Sequence, residues 1–516
     1  MTAPEQLPYI ATRQEGPTQP ASWPWRLFFA CLGLFVLTSR GHTGSIDEES
    51  LLFASSRLVE GAANLFNISW SVPDPPWEGT GVFTSYEPAQ PLLAIPFYLA
   101  GSLLASFFPV ESHTYITRLV VTLFGAIVTA ATVARLYQCG RALGQREGAA
   151  TFMAATYAVG TLAWPYARTF FREPLVALAL VSAAYALIRW RERPGWRLAT
   201  TGWGWVLLAV ITKLVVLFVV PLFAVYFVGG YFQHRRTNRG DTGSITPAGN
   251  ELRRELLIEG ATTAVVGLAI FVAGGLVLQD RWTQIEPYID RTGLFTGDLS
   301  YMPVALYGLT LSPGKGLLVF APPVLAGLVG LYLLYRQRRG EALLFAALPV
   351  FFLWVYSVNT SWHGGANWGP RYLLPVLPFL VIPIGTLAQS LWAARHTMRG
   401  QVGLALVGNL LAMGALVQIA AISVDPVNYY LRVFERRTLT MEGGPAFLQE
   451  IHFDPALSPV TGHLGLATEY LGNLASGRNH FEQVPFRREP YLQYFREARS
   501  LDFTIVHLYE WSRASR

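Results

Sequence analysis

The sequence predicts an all-α polytopic membrane protein. It reads as a bundle of about 11 transmembrane helices, an external juxtamembrane helix and a small exported C-terminal α+β region. Three observations carry this reading. Only 14% of the 516 residues are charged and 52% are hydrophobic, where a soluble domain has about 25% charged residues. Several apolar runs approach the roughly 20 residues that a bilayer-spanning helix needs. The loops between these runs also sort by charge, as the positive-inside rule requires. A soluble multidomain enzyme and a disordered chain are both excluded, and the lipid bilayer, not nucleic acid, is the expected surrounding.

Residues 1–22 read as a disordered cytoplasmic N-terminus. The run from Trp25 to Thr38 has no small-residue cleavage site after it and reads as a retained signal anchor. Further apolar segments fall near 90–108, 116–137, 148–163, 174–189, 199–212, 214–232, 256–278, 315–335, 342–358, 371–391 and 401–421. The loop at 40–89 carries two Arg against Asp47, Glu48, Glu49, Glu60, Asp74, Glu78 and Glu87, and is expected outside. Arg135/Arg141/Arg146, Arg189/Arg191/Arg193/Arg197, Arg235/Arg236/Arg239, Arg336/Arg338/Arg339 and Arg395/Arg399 mark cytoplasmic loops. All of these fall on one side only if segment 90–108 does not cross. Pro91, Pro96 and Gly101 interrupt that segment, which suits a helix at the outer interface. The span 199–232 is too long for one crossing and reads as a tight hairpin with Lys213 at its outer tip. The membrane domain is then 23–424, with an external catalytic loop at 40–115. Residues 425–516 are exported, to the periplasm or the cell exterior.

The two cysteines, Cys31 and Cys139, allow no exported disulfide framework. Lys213 and Lys315 are the only lysines, every other base being Arg. A genome biased toward Arg codons accounts for that scarcity, yet both lysines lie in or beside apolar runs.

The residues that can carry chemistry gather on the external side. Ile46-Asp47-Glu48-Glu49 places carboxylates at a membrane-to-water boundary, where partial burial raises a carboxylate toward the working range of a general base; a solvated acidic loop is the plainer alternative. Tyr86, Glu87, Arg118, Arg168, Arg172 and Glu173 fall on the same face. Charged groups at helix ends that face a bundle interior mark a pathway or site. Leu311-Ser312-Pro313-Gly314-Lys315-Gly316 offers glycines and a lysine before a helix N-terminus, which suits an anion; a re-entry turn with a snorkelling lysine competes. Trp362-His363-Gly364-Gly365-Ala366-Asn367-Trp368-Gly369-Pro370-Arg371 interleaves aromatics with glycine, as in sugar stacking or an interfacial belt. Arg371 there can fork a phosphate. A lysine at Lys213 costs about 2.5–3.5 kcal/mol in a bilayer, which either a phosphate or an internal carboxylate would offset.

The external Asp-Glu after the first span, the Pro-containing juxtamembrane helix, the span opening on Arg118 and the Arg/acidic loop at 168–173 resemble the GT-C superfamily of membrane glycosyltransferases. In layout they are similar to protein O-mannosyltransferases and lipid A aminoarabinose transferases over roughly residues 25–400. The resemblance implies a polyprenyl-phosphate sugar donor and a glycan, lipid or protein acceptor on the external face of the cell inner or plasma membrane. It implies Asp47 as the catalytic carboxylate with Glu48 beside it. Glu87 matches the acidic residue before the juxtamembrane helix, Arg118 the Arg of the catalytic loop and Glu173 the second acidic position. Lys213, Lys315 and Arg371 are expected on the donor phosphate, with Tyr86, Arg172, Trp362 and His363 lining the substrate. The chain departs from the aminoarabinose transferases after Glu87, where Pro88-Ala89-Gln90-Pro91 replaces Lys-Pro-Pro. The oligosaccharyltransferase Trp-Trp-Asp signature is absent. No cofactor is read with certainty. A divalent metal ion stays open, since Glu87, Glu173 and His113 share a side, but no His/Cys spacing argues for zinc. A lipid or sugar transporter, or a non-catalytic cell-envelope subunit, are the rival readings.

Overall fold

A computed structural model describes residues 22–59, 87–239, 299–359, 361–437, 451–476 and 501–508. The expected crossing at 256–278, Tyr86 and most of the N-terminus lie outside these. The described helices are α1 (Trp23–Leu37), α2 (Ile46–Val59), α3 (Ala89–Ala105), α4 (His113–Ala142), α5 (Glu147–Gly160), α6 (Ala163–Ala167), α7 (Glu173–Glu192), α8 (Trp196–Thr212) and α9 (Val220–Arg239). After the undescribed stretch come α10 (Met302–Thr310), α11 (Leu317–Phe320), α12 (Val324–Gln337), α13 (Arg339–Ser357), α14 (Leu377–Ala393), α15 (Met398–Ser423), α16 (Pro426–Arg437) and α17 (Pro459–Ala475).

Among the described residues, six segments are long and apolar enough to cross a membrane: α4, α7, Leu214–Gln233, α13, Arg371–Ala393 and α15. In α7 and in Arg371–Ala393, 83% of the apolar window is buried, against 33% in Leu214–Gln233 and in α15. The first pair therefore forms the centre of the bundle and the second its apolar rim. Local sequence sets the element ends. Glu173 and Pro174 open α7, and Arg189 and Arg191 sit in its last turn, so both ends complement the helix dipole. α4 ends with Gly144 at φ 89. Gln145 N–H donates to Gly140 O and Gly144 N–H to Arg141 O, the paired bonds that close a helix through a left-handed glycine.

The Arg-rich loops meet at one end. Arg146 N–H donates to Gln389 Oε1, Arg191 to Gln233, and Arg338 pairs with Glu192. The opposite end collects residues 38–48, 161–173, 213–214, 312–316, 358–359, 361–371 and 422–427. α8 returns along α7 to that second end, where Lys213 leaves the helix in an extended conformation (φ −154, ψ 109) before Leu214–Val219 and α9 turn back. This is the expected hairpin.

α3 runs antiparallel to the first half of α4. Phe97 meets Phe124 edge-on, the Gly101 Cα faces Thr117, and His113 donates to Phe108 O. Its start is tied to the second end, where Gln90 Nε2 donates to Phe170 O at 2.6 Å. α3 thus stays on one side of the bundle, as the parity of the Arg-rich loops requires.

The described part of the C-terminal region is helical, with no strand, and Thr504–Leu508 forms a helical turn where a mixed α+β appendage was expected. It is also built into the bundle. Thr504 N–H donates to Ser39 O and Asp502 N–H to Ser423 O.

Candidate active site

The first loop splits its carboxylates between different partners. Glu48 is fully buried. It accepts both oxygens' worth of bonds from Arg40 Nη2 (2.8 and 2.7 Å), and further bonds from Gly44 N–H (2.6 Å) and Phe170 N–H (2.7 Å). Arg40 also reaches Asp425 at 3.2 Å. Asp425 itself caps α16 through Val427 N–H. Burial, and then the nearby Asp502 charge, push Asp425 up to about 6.

Asp47, one residue earlier, is 31% exposed in its side chain and meets Arg371 Nη1 at 2.5 Å. The Arg371 guanidinium lies 4.8 Å above the Phe171 ring and 5.0 Å from Tyr372. Beside it, Lys213 Nζ donates to Glu173 Oε1 at 2.7 Å and lies 4.7 Å from the centre of the Tyr372 ring. Tyr372 stacks on Tyr356 with centroids 4.4 Å apart. Glu87 accepts from Arg172 and, at 2.7 Å, from Leu214 N–H, which pins the hairpin tip next to Lys213. Arg118 forks Glu49 at 2.8 and 2.9 Å, and Thr43 Oγ1 also donates to Glu49.

Asp47, Glu87, Arg172, Glu173, Lys213 and Arg371 are therefore brought together. A close backbone approach makes this compaction fit: a Cβ on Gly125 of α4 would stand 2.2 Å from Thr169 O, so only glycine lets the 167–170 loop lie against α4. A cation paired with a part-exposed carboxylate, with a second cation beside it, can hold an anion while that carboxylate takes a proton.

Other expected residues lie apart from this group. Lys315 is fully buried, and its Nζ donates to Gly365 O at 2.8 Å and Asn367 O at 2.5 Å. Burial, with Arg371 nearby, holds its pKa well below the usual lysine range. Two of its N–H donors are thereby used. Trp362 is buried, stacked on Phe453 at 6.0 Å and packed on Gly308. Burial, then Lys315 and Arg371, lower His363 to about 4. His113 bonds Phe108 O rather than Glu87 or Glu173, so that open metal trio does not assemble.

Sequence reasoning missed Glu49 as the partner of Arg118, the Tyr356–Tyr372 stack under Lys213, and the buried set Arg40, His42, Asp425 and Asp502. Tyr372 was legible from its place after Arg371. Asp425 and Asp502 gave no local signal, because their partners lie hundreds of residues away.

No family model matches the chain, and no curated protein matches it. Among solved structures, the ArnT of Cupriavidus metallidurans bound to undecaprenyl phosphate is similar at TM-score 0.46 and 15% identity, over 92% of this chain and 82% of that one. The apo oligosaccharyltransferase of Archaeoglobus fulgidus is similar at TM-score 0.46 and 11% identity, over 87% of this chain and 64% of that one.

Proposed function

We propose that this chain is an integral-membrane glycosyltransferase that moves a sugar from a polyprenyl-phosphate donor to an acceptor at the external face. The observation that carries the proposal is the Asp47–Arg371 pair lying beside the Lys213–Glu173 pair at one end of the bundle. The motif resemblance in the sequence supports the donor class, and the geometry supports the roles.

In this reading the donor phosphate competes with Asp47 for Arg371 and draws on Lys213. Asp47 is thereby released as a base. The acceptor oxygen attacks the anomeric carbon, and the bond from that carbon to the phosphate oxygen breaks. The electron pair leaves on polyprenyl phosphate, and the acceptor proton passes to Asp47. A single displacement inverts the anomeric centre. Arg371 and Lys213 stabilise the charge that grows on the leaving phosphate. Glu173 and Glu87 hold Lys213 and its turn in place, with Arg172 fixing Glu87. Lys315 supports the loop that presents Arg371, and Glu48 anchors the loop that carries Asp47. Trp362 and His363 belong to the wall behind that loop.

The test is transfer or hydrolysis of radiolabelled polyprenyl-phosphate sugars by the purified protein. Wild type is expected to release polyprenyl phosphate, and Asp47→Asn to do so about 100- to 10,000-fold more slowly. Wild-type rates from Asp47→Asn would remove Asp47 from the role of base.

A further inference from the structure

Beneath the first loop lies a second charged cluster that the proposed transfer does not use. His42, Asp502 and His507 are all buried, at 5%, 4% and 3% exposure, and their ligand atoms lie within 4.8 Å of one another. They come from opposite ends of the chain. His42 sits five residues before Asp47, while Asp502 lies just before the C-terminal helical turn and His507 within it.

Hydrogen bonding fixes the His42 ring. His42 Nδ1 lies 2.9 Å from Thr43 O, and a carbonyl only accepts, so the proton sits on Nδ1. That leaves Nε2 directed at Asp502 Oδ1, 2.8 Å away. Two lone pairs at that distance repel unless a positive charge lies between them. The His507 ring is buried beside the same carboxylate, with its Nε2 4.0 Å from Asp502 Oδ1. A backbone carbonyl that holds one ring nitrogen, as Thr43 O holds that of His42, and orients the other is a usual outer partner of a metal-binding histidine.

The charge count agrees. Among the described residues, three buried carboxylates (Glu48, Asp425 and Asp502) face two guanidinium groups (Arg40 and Arg168), an arrangement that accommodates a further positive charge. Nitrogen and carboxylate ligands in a mixed set suit zinc, with bonds of about 2.0–2.2 Å and ligand atoms roughly 3.3 Å apart in a tetrahedron. The contacts of 2.8 and 4.0 Å bracket that separation.

We propose that His42, Asp502 and His507 bind a zinc ion that staples the C-terminal turn to the loop bearing Asp47. The ion is structural: it takes no part in transfer, and the proposal stands whether or not the chain transfers a sugar. Arg168, bonded to Asp502 Oδ2 at 3.3 Å and to Ile422 O at 2.7 Å, steadies the carboxylate from outside.

The test uses the full-length protein in detergent with any affinity tag removed. It is stripped with a chelator and back-titrated with zinc sulfate, and metal content is read by mass spectrometry alongside thermal stability. Wild type is expected to take up about one equivalent and to melt higher with zinc than without. Asp502→Asn and His507→Gln are expected to bind at least about tenfold more weakly and to lose the zinc-dependent shift. If either variant fails to fold, the wild-type titration still decides. A wild type that takes up no zinc, or melts at the same temperature with and without it, overturns the proposal and leaves a proton on His42 Nε2 as the further charge. Folded variants that hold as much zinc as wild type overturn it equally.

Discussion

Asp47 and Glu48 are neighbours in sequence, yet they belong to two different kinds of buried charge. Glu48 lies in a closed network: Arg40, Gly44 and Phe170 give it four hydrogen bonds, and no part of it meets solvent. Asp47 lies in an open cluster, about a third exposed, facing Arg371 across 2.5 Å with Lys213 and Glu173 beyond. The difference teaches where to look for chemistry. A carboxylate whose acceptor capacity is already filled anchors structure, because releasing it would strand its donors. A carboxylate that shares one cation at the edge of a cluster can give that cation up to an anion and accept a proton in return.

The largest expected effects separate these two positions directly. Glu48→Gln leaves the Arg40 guanidinium buried with weakened compensation, and breaking a buried pair this way costs about 3–5 kcal/mol. That variant is expected to melt far below wild type or to fail to accumulate. Asp47→Asn is expected to melt close to wild type and to lose transfer. Measuring both by thermal unfolding in detergent and by the transfer assay breaks the comparison if the two variants behave alike.

The Lys213–Glu173 pair tests whether the open cluster binds an anion. Its side chains are 9% and 4% exposed, so Lys213→Met alone strands Glu173 and is expected to destabilise strongly. The double variant Lys213→Met/Glu173→Leu removes both charges and is expected to recover most of that stability. Donor binding is expected not to recover: losing one charge-assisted bond to phosphate weakens it roughly 10- to 100-fold. A double variant with wild-type donor KM would show that Lys213 serves only Glu173.

Lys315 sharpens the contrast on a smaller scale. Its amine is committed to the carbonyls of Gly365 and Asn367, so Lys315→Met strands two acceptors at a cost of about 1–3 kcal/mol. Thermal stability is expected to fall while donor KM changes far less than in Lys213→Met. Equal KM effects from the two lysines would return Lys315 to the phosphate.

Much of this was legible in the sequence, for identifiable reasons. Arg-rich loops fix helix parity because membrane insertion reads local positive charge, and the hairpin tip at Lys213 and the one-sided α3 follow from that parity. Asp47, Glu87, Glu173 and Arg371 could be expected together because each sits at a helix end on the same side. Pairing was not legible. Nothing local tells Lys315 from Lys213, yet one finds carbonyls and the other finds Glu173. Glu48 reads as well as Asp47 for a base, until the Phe170 amide and the Arg40 fork fill its acceptor sites. From composition the C-terminal region reads as a small α+β domain or a wrapped appendage, without a contact to the bundle being named. Its Asp502 instead turns into the bundle, a contact between residues more than 300 apart that no periodicity reports.

The smallest effect belongs to Arg118 and Glu49, which stand between the two regions. Their side chains are 23% and 24% exposed, so solvent screens the pair, and such pairs contribute about 0.2–1 kcal/mol. Arg118→Gln is expected to lower the melting temperature by no more than about 2 °C. It is expected to slow transfer only a few-fold, through looser placement of the helix that starts at Ile46. That slowing is electrostatic, so the gap between wild type and variant is expected to narrow at about 1 M salt, where the screening length is near 3 Å. The swapped pair Arg118→Glu/Glu49→Arg is expected to restore part of the rate, since a positioning pair works with its charges exchanged. If instead Arg118→Gln loses transfer as fully as Asp47→Asn, while Glu49→Gln does not, Arg118 acts on the substrate itself. The open cluster would then extend across α4 and include a third cation.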